Sequence, residues 1–219
     1  MSKHRITFDV ETGPQDASYL LAKFNPVFEA GKNLKDPEKI ANEIAEKKRE
    51  WLEKSALYPE RGEVLAIGWK EDGGKVFLLE GNESAILSDI FDILKQIQPV
   101  SSKAKYEMSA GFNILNFDLP FLRKRALILG VPCPIYARAN KWEPWGVCKP
   151  FDAMLDYNCG DRRAFTSLDT VAIALGLGGK DATTGKRFSE VYKTDPEKAR
   201  EYLRRDVDLT DAVVERLLA

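Results

Sequence analysis

The stretch Ile6-Thr7-Phe8-Asp9-Val10-Glu11-Thr12-Gly13 constrains the fold more than any other part of the chain. Ile6, Phe8 and Val10 alternate with polar residues, the period of a strand with one apolar face. That strand is expected over residues 4–10, with Thr-Gly-Pro stopping the run. Asp9 and Glu11 then project to the same side. Two carboxylates held together at the end of an apolar strand repel each other, and a divalent cation that prefers oxygen ligands relieves the repulsion. Taken alone, an Asp-x-Glu pair is more often a solvated strand edge. The remaining residues decide between the two readings.

Along the chain, Pro14 to Leu34 reads as loop with one short helix, and Asp36-Pro37-Glu38 starts a polar helix running to about Leu57. Asp supplies the cap there and Pro fits the first turn. Its few apolar positions place this helix on the surface, beside the site. Val64–Trp69 and Val76–Leu79 are strands joined by Glu71-Asp72-Gly73-Gly74 into an antiparallel hairpin. Ser84 to Gln98 carries Ile86, Leu87, Ile90, Leu94 and Ile97 on one helical face. Tyr106–Phe112 is a fourth strand, and a helix runs from Asp118 to Leu129 before Gly130. Residues 131–150 read as irregular, with a short strand near Lys149–Met154, a helix from Leu168 to Leu175, and a loop over Gly178–Arg187. Asp195-Pro196-Glu197 starts a last helix that ends near Leu218. Strands with one hairpin, followed by strand–helix alternation, predict an α/β domain with a mixed, roughly five-stranded sheet flanked by helices.

With 219 residues the expectation is one domain, residues 1–219, with a helical insertion at about 14–60. Lys plus Arg (33) nearly balance Asp plus Glu (34), so global charge selects neither nucleic acid nor membrane. No apolar run approaches the ~20 residues that span a bilayer, so no membrane partner is expected. Three cysteines without Cys-x-x-Cys spacing argue against zinc and against a disulfide framework, and a cytoplasmic location is the expectation. The single histidine, His4, makes a Ser-His-Asp triad implausible.

Three features then fall in order: Asp9-x-Glu11, Asp118 at the start of the helix after the fourth strand, and Tyr202-x-x-x-Asp206 in the last helix. A helix dipole favours an anion at the position of Asp118. Four residues advance a helix by about 400°, so Tyr202 and Asp206 share a face. Four carboxylates without histidine or thiol suit hard cations, Mg²⁺ or Mn²⁺. Two such ions about 4 Å apart serve in-line displacement at a phosphodiester. Singly, each residue has a plainer reading: Asp118 as a helix cap, Tyr202 as a core residue, Asp206 as a solvated charge.

The segments Phe8-Asp9-Val10-Glu11-Thr12, Asn113-x-x-Asn116-Phe117-Asp118-x-x-Phe121-Leu122 and Tyr202-x-x-x-Asp206 resemble motifs I, II and III of the DEDD (DnaQ-like) 3′–5′ exonucleases. The likeness is greatest to proofreading domains of family-B DNA polymerases and their stand-alone, prophage-type relatives. Asn33-Leu34-Lys35-Asp36-Pro37-Glu38-Lys39-Ile40, Val64-Leu65-Ala66-Ile67-Gly68 and Ser167-Leu168-Asp169 add to it. The resemblance implies a ribonuclease H-like fold. Position 201 is Glu rather than His, so the chain is similar to the tyrosine (DEDDy) branch.

By this resemblance the protein is a 3′–5′ exonuclease that releases 5′-mononucleotides from a DNA 3′ end, with single strands preferred. Asp9, Glu11 and Asp206 would hold the catalytic ion, with Asp9 bridging to a second ion that Asp118 binds through water. A phenol has a pKa near 10, so Tyr202 would orient the attacking water rather than deprotonate it. Thr12, Gly13, Asn113, Asn116 and Phe117 are the candidate substrate contacts; Phe117 fits base stacking and core packing equally. The basic groups Arg123-Lys124-Arg125, Arg162-Arg163, Lys180, Lys186-Arg187 and Arg204-Arg205 are candidate phosphate contacts. Near-zero net charge implies weak, distributive binding unless a replication or repair partner holds the substrate in trans. The rival readings are an RNA 3′ exonuclease, separable only by 2′-OH contacts, a non-catalytic nucleic-acid-binding accessory module, and a fortuitous match in an unrelated α/β protein.

Overall fold

The computed structural model describes residues 5–97, 108–134, 150–179 and 188–219. Among them five strands form one sheet: β1 (Arg5–Pro14), β2 (Gly62–Glu71), β3 (Phe77–Glu80), β4 (Met108–Gly111) and β5 (Phe151–Asp152), in the order β3-β2-β1-β4-β5. β1 and β2, and β2 and β3, pair antiparallel; β1 and β4, and β4 and β5, pair parallel. The helices are α1 (Ala17–Phe24), α2 (Pro37–Lys54), α3 (Glu83–Leu94), α4 (Asp118–Leu129), α5 (Ala153–Tyr157), α6 (Leu168–Ala174), α7 (Phe188–Thr194) and α8 (Pro196–Leu218). The expected mixed five-stranded α/β architecture is present.

The helix starts follow the expected chemistry. Asp36 accepts from the Glu38 amide at 3.0 Å and Asp195 from the Lys198 amide at 3.2 Å. Each is followed by a proline whose missing N–H costs nothing in a first turn. Gly130 closes α4 in the left-handed region (φ 70°), the conformation that glycine adopts without a Cβ clash. α2 buries no residue, in keeping with its sparse apolar positions. Several elements differ from expectation. β1 continues through Thr12-Gly13 to Pro14 because its far end pairs with Glu63 and Gly62 of β2. The fifth strand is only two residues long, because the Asp152 side chain accepts from the Met154 and Leu155 amides and starts α5 at once. α5 and α7, of five and seven residues, were not expected. The expected irregular stretch 131–150 and loop 178–187 fall largely outside the described residues, as does the start of the fourth strand.

The two faces of β1 divide the molecule. Ile6, Phe8 and Val10 are buried in a cluster with Ile86, Leu87, Ile90 and Phe91 of α3 and Leu119, Phe121 and Leu122 of α4. Each such aliphatic or aromatic side chain contributes roughly 1.5–3 kcal/mol on burial. On the other face lie Arg5, Thr7, Asp9 and Glu11, covered by α8. That helix buries Ala199, Leu203, Asp206, Val207, Thr210, Asp211, Val213 and Val214, a stripe at helical spacing. Two carboxylates inside an apolar stripe call for an explanation. Asp211 has one: it accepts from Thr7 Oγ1 at 2.6 Å and pairs with Arg5 at 2.9 Å and Lys70 at 3.3 Å. Asp206 lies beside Asp9 and Glu11. No helix among the described residues is long and apolar enough to cross a membrane.

Candidate active site

β1 runs parallel to β4 and β5, and the candidate residues collect at their carboxyl ends, where open α/β sheets present their crevice. One carboxylate oxygen each from Asp9, Glu11 and Asp206 lie within 4.8 Å of one another. Like charges at that spacing repel by roughly 3–4 kcal/mol per pair at an effective dielectric of about 20. A shared hard cation removes that cost, and the all-oxygen donor set fits Mg²⁺ or Mn²⁺ rather than zinc.

Two local features bring α8 this close. Gly68 of β2 sits opposite Asp9 in the sheet register. A Cβ there would lie 2.7 Å from Val207 Cγ2 and 3.0 Å from Leu203 Cγ, so only glycine admits the helix. The β1/β2 register also shifts between Glu11 and Thr12, with Leu65 the extra residue of a bulge. Bulges re-aim side chains beside sites. Beyond it the Thr12 hydroxyl turns away to donate to the Ala56 carbonyl at 2.8 Å.

Asp118 stands behind the cluster, not within it. It occupies the first turn of α4, whose N-cap Phe117 makes no side-chain cap, and its Oδ1 accepts from the Val10 amide at 3.1 Å. The carboxyl therefore reaches across to the strand between Asp9 and Glu11. Burial raises its pKa well above the ordinary carboxylate value, and the charges of Asp9 and Asp152 raise it further. Tyr202 is half-buried and hydrogen-bonds Asp206; burial first, then Asp206 and Glu11, push its phenol above the usual value. Its proton stays in place, available for donation.

The remaining candidates divide. Asn113 adopts φ 62°, and its side-chain oxygen accepts from Asn116 Nδ2 at 3.0 Å. Asn116 is exposed, whereas Phe117 packs on Phe121 with centroids 5.5 Å apart and borders the α3–α4 cluster. Gly13 is buried against Leu65 and Ser189, where a Cβ would lie 2.7 Å from Leu65 Cδ1. Arg125 is no phosphate contact: it is buried and forks onto Glu83 at 2.8 and 2.6 Å while donating to the Pro59 carbonyl. Lys124 lies 3.8 Å from Glu60, and Arg205 pairs with Glu201. Arg162, Arg163 and Arg204 are exposed; Lys180, Lys186 and Arg187 lie outside the described residues. A cleft of about 440 Å³ opens beside Tyr202 and Asp206, lined also by Leu177, Lys198 and Leu209.

Asp152 is a residue that the motifs do not single out. Only 4% exposed, its carboxylate accepts from the amides of Asn113, Leu115, Met154 and Leu155. It thereby ties the loop that leads to Asp118 to the end of β5. The signal present in the sequence was its place, a lone Asp directly after an apolar residue and before a helix.

The chain is similar to known proteins in sequence and in fold. Residues 65–214 match the model of a family described as "Predicted 3'-5' exonuclease related to the exonuclease domain of PolB". DNA polymerase 2 of Aeropyrum pernix is 27% identical over 177 residues, which is 73% of this chain and 21% of the polymerase. The family-B DNA polymerase of Pyrobaculum calidifontis superposes over 100% of this chain and 25% of its own, with TM-score 0.64 and 18% identity, a likeness of fold. The chain thus spans between a fifth and a quarter of the length of these polymerases. With the matched segment covering most of the sheet and the whole of the Asp118–Asp206 half of the site, the chain belongs to the family of predicted 3′–5′ exonucleases related to the exonuclease domain of PolB.

Proposed function

We propose that this protein is a divalent-metal-dependent exonuclease that removes 5′-mononucleotides from the 3′ end of DNA, with single strands preferred, and that it works in the manner of the tyrosine branch. The observation that carries the reading is the approach of Asp9, Glu11 and Asp206 to within 4.8 Å, beside a protonated Tyr202. Residues 1–219 then act as one exonuclease domain, and the helices between β1 and β2 are an insertion in it. Asp9, Glu11 and Asp206 would hold one ion and Asp9 with Asp118 a second; ions held there would neutralise the scissile phosphate and acidify the attacking water. Burial and the Asp9 charge raise the pKa of Asp118, and a cation held beside it would lower that pKa again. The Tyr202 hydroxyl, keeping its proton, hydrogen-bonds Asp206 and would likewise donate a hydrogen bond to the attacking water, orienting it without accepting its proton. Of the five candidate substrate contacts, Asn113 and Asn116 would meet the terminal nucleotide through their side chains; Thr12, Gly13 and Phe117, engaged with Ala56, Leu65 and Phe121, would shape the floor beneath it.

The test is digestion of 5′-labelled single-stranded DNA, duplex DNA and RNA with Mg²⁺ or Mn²⁺. Shortening from the 3′ end with mononucleotide release is expected, fastest on single-stranded DNA. Asp9→Ala should reduce the rate at least about 100-fold. Tyr202→Phe, which removes only the group that orients Asp206 and the water, should lower kcat by roughly 10–100-fold. Full activity in Asp9→Ala would overturn the site; faster digestion of RNA would reassign the substrate.

A further inference from the structure

The segment between β1 and β2 lies outside the residues that match the family model. It carries a surface array in which rings and cations alternate. Lys23 Nζ lies 5.0 Å from the centroid of Tyr19 and 5.9 Å from that of Phe24. Phe24 meets Trp51 edge-on at 6.4 Å, and the Arg61 guanidinium lies 4.7 Å over Trp51 and 4.2 Å over Tyr58. Tyr19, Phe24 and Tyr58 are 46%, 39% and 48% exposed. Such rings are placed to bury apolar area only if something covers them. Among the described residues no carboxylate forms an ion pair with Lys23 or Arg61; the partners of these cations are the rings, Lys23 also donating to Tyr19 Oη at 2.6 Å.

The array is tied to the site end of β1. Gln15 N donates to the Arg61 carbonyl at 3.0 Å and Gln15 Nε2 to the Gly62 carbonyl at 2.8 Å, while Thr12 Oγ1 holds Ala56. Residues 12–15 directly follow Glu11, so the platform starts where the candidate carboxylates end. Alternating rings and cations match a single strand, whose bases offer π-faces and whose phosphates offer charge. A purely apolar partner would use the rings but not the cations beside them.

We infer that the Tyr19–Lys23–Phe24–Trp51–Arg61–Tyr58 array is a docking track for single-stranded nucleic acid, holding the nucleotides upstream of the 3′ end being cleaved. This rests on the exonuclease reading and supplies the hold that the near-neutral net charge does not. The track engages the strand by stacking, and the two cations answer its phosphates.

The test compares a long substrate, 5′-labelled dT20, with the p-nitrophenyl ester of thymidine 5′-monophosphate, which has a phosphodiester and no upstream strand. Tyr58→Ala should raise KM for dT20 by roughly 5- to 100-fold, one stacking contact's worth, and leave hydrolysis of the ester unchanged. Arg61→Ala should raise it in the same direction, and Tyr58→Phe should restore the unmutated KM. Unchanged KM for dT20 in both Tyr58→Ala and Arg61→Ala overturns the track, as does an equal loss on ester and strand, which would mark a folding defect. If the unmutated protein hydrolyses neither substrate, the exonuclease reading fails by itself. The track is then judged by anisotropy of labelled dT20 in Ca²⁺: weaker binding by Tyr58→Ala supports it, and no difference, or no binding by the unmutated protein, overturns it.

Discussion

Asp118 shows how a residue's role depends on what surrounds it. Its position at the start of α4 was visible in the sequence as a choice between a helix cap and a ligand. The structure has its Oδ1 accept from the Val10 amide of β1, so the side chain ties α4 to the strand. Burial, with Asp9 and Asp152 nearby, raises its pKa, so the sign of its effect on stability follows. The folded chain binds this proton more tightly than the unfolded one, which titrates near pH 3.9. Its contribution is fully present below that pH and is lost as pH rises through the folded pKa. Asp118→Asn copies the neutral acid and keeps an acceptor for Val10. Without divalent ions it should unfold at higher urea than the unmutated chain at pH 7, and the difference should vanish below about pH 4. A variant less stable at pH 7 would show that the carboxylate is stabilised as an anion.

At the scale of elements, what was legible and what was not have different physical causes. α8 was readable end to end because its Asp-Pro start and apolar spacing are local signals. Tyr202 and Asp206 could be placed on one face from their spacing alone. Asp211, in the same helix, could not be recognised, because its partners Arg5, Thr7 and Lys70 lie on β1 and β2, far away in sequence. Nor could Gly68, whose missing side chain matters only once α8 lies against it. Short elements such as α5 carry too few residues for a period and are made by one cap, Asp152. The Asp211 cluster ties α8 to β1 and β2 in the same helix that carries Asp206. Asp211→Ala would leave Arg5 to Asp72 and Glu215 and Lys70 to Asp208, but it removes the one carboxylate that joins Arg5, Thr7 and Lys70, and should cost about 2–3 kcal/mol in urea unfolding. Substituting Glu215, a 57%-exposed partner of the same arginine, should cost no more than about 1 kcal/mol. Equal losses for the two would mean that Asp211 is not the anchor.

Across the whole molecule, the acidic cluster joins opposite ends of the chain. Asp9 and Glu11 belong to the first strand and Asp206 to the last helix, with the apolar α3–α4 layer on the far side of the sheet. Folding must bring these like charges together, and hydrophobic burial on both faces of the sheet has to cover the cost. A cation that binds only the assembled cluster adds RT ln(1 + [L]/Kd) to the stability of the fold, about 2.7 kcal/mol at a hundredfold excess over Kd. For a chain of this length each kcal/mol moves the midpoint by roughly 2–4 °C. Saturating Mg²⁺ or Mn²⁺ should therefore raise Tm by about 5–10 °C, and EDTA should reverse it. Asp206→Ala should abolish the rise, since it removes the ligand on α8 and leaves only the strand's pair. Tyr202→Phe should preserve most of it, because it removes no carboxylate. A Tm insensitive to both ions in the unmutated protein would mean that the three carboxylates meet for a reason other than a metal, and the proposed chemistry would lose its foundation.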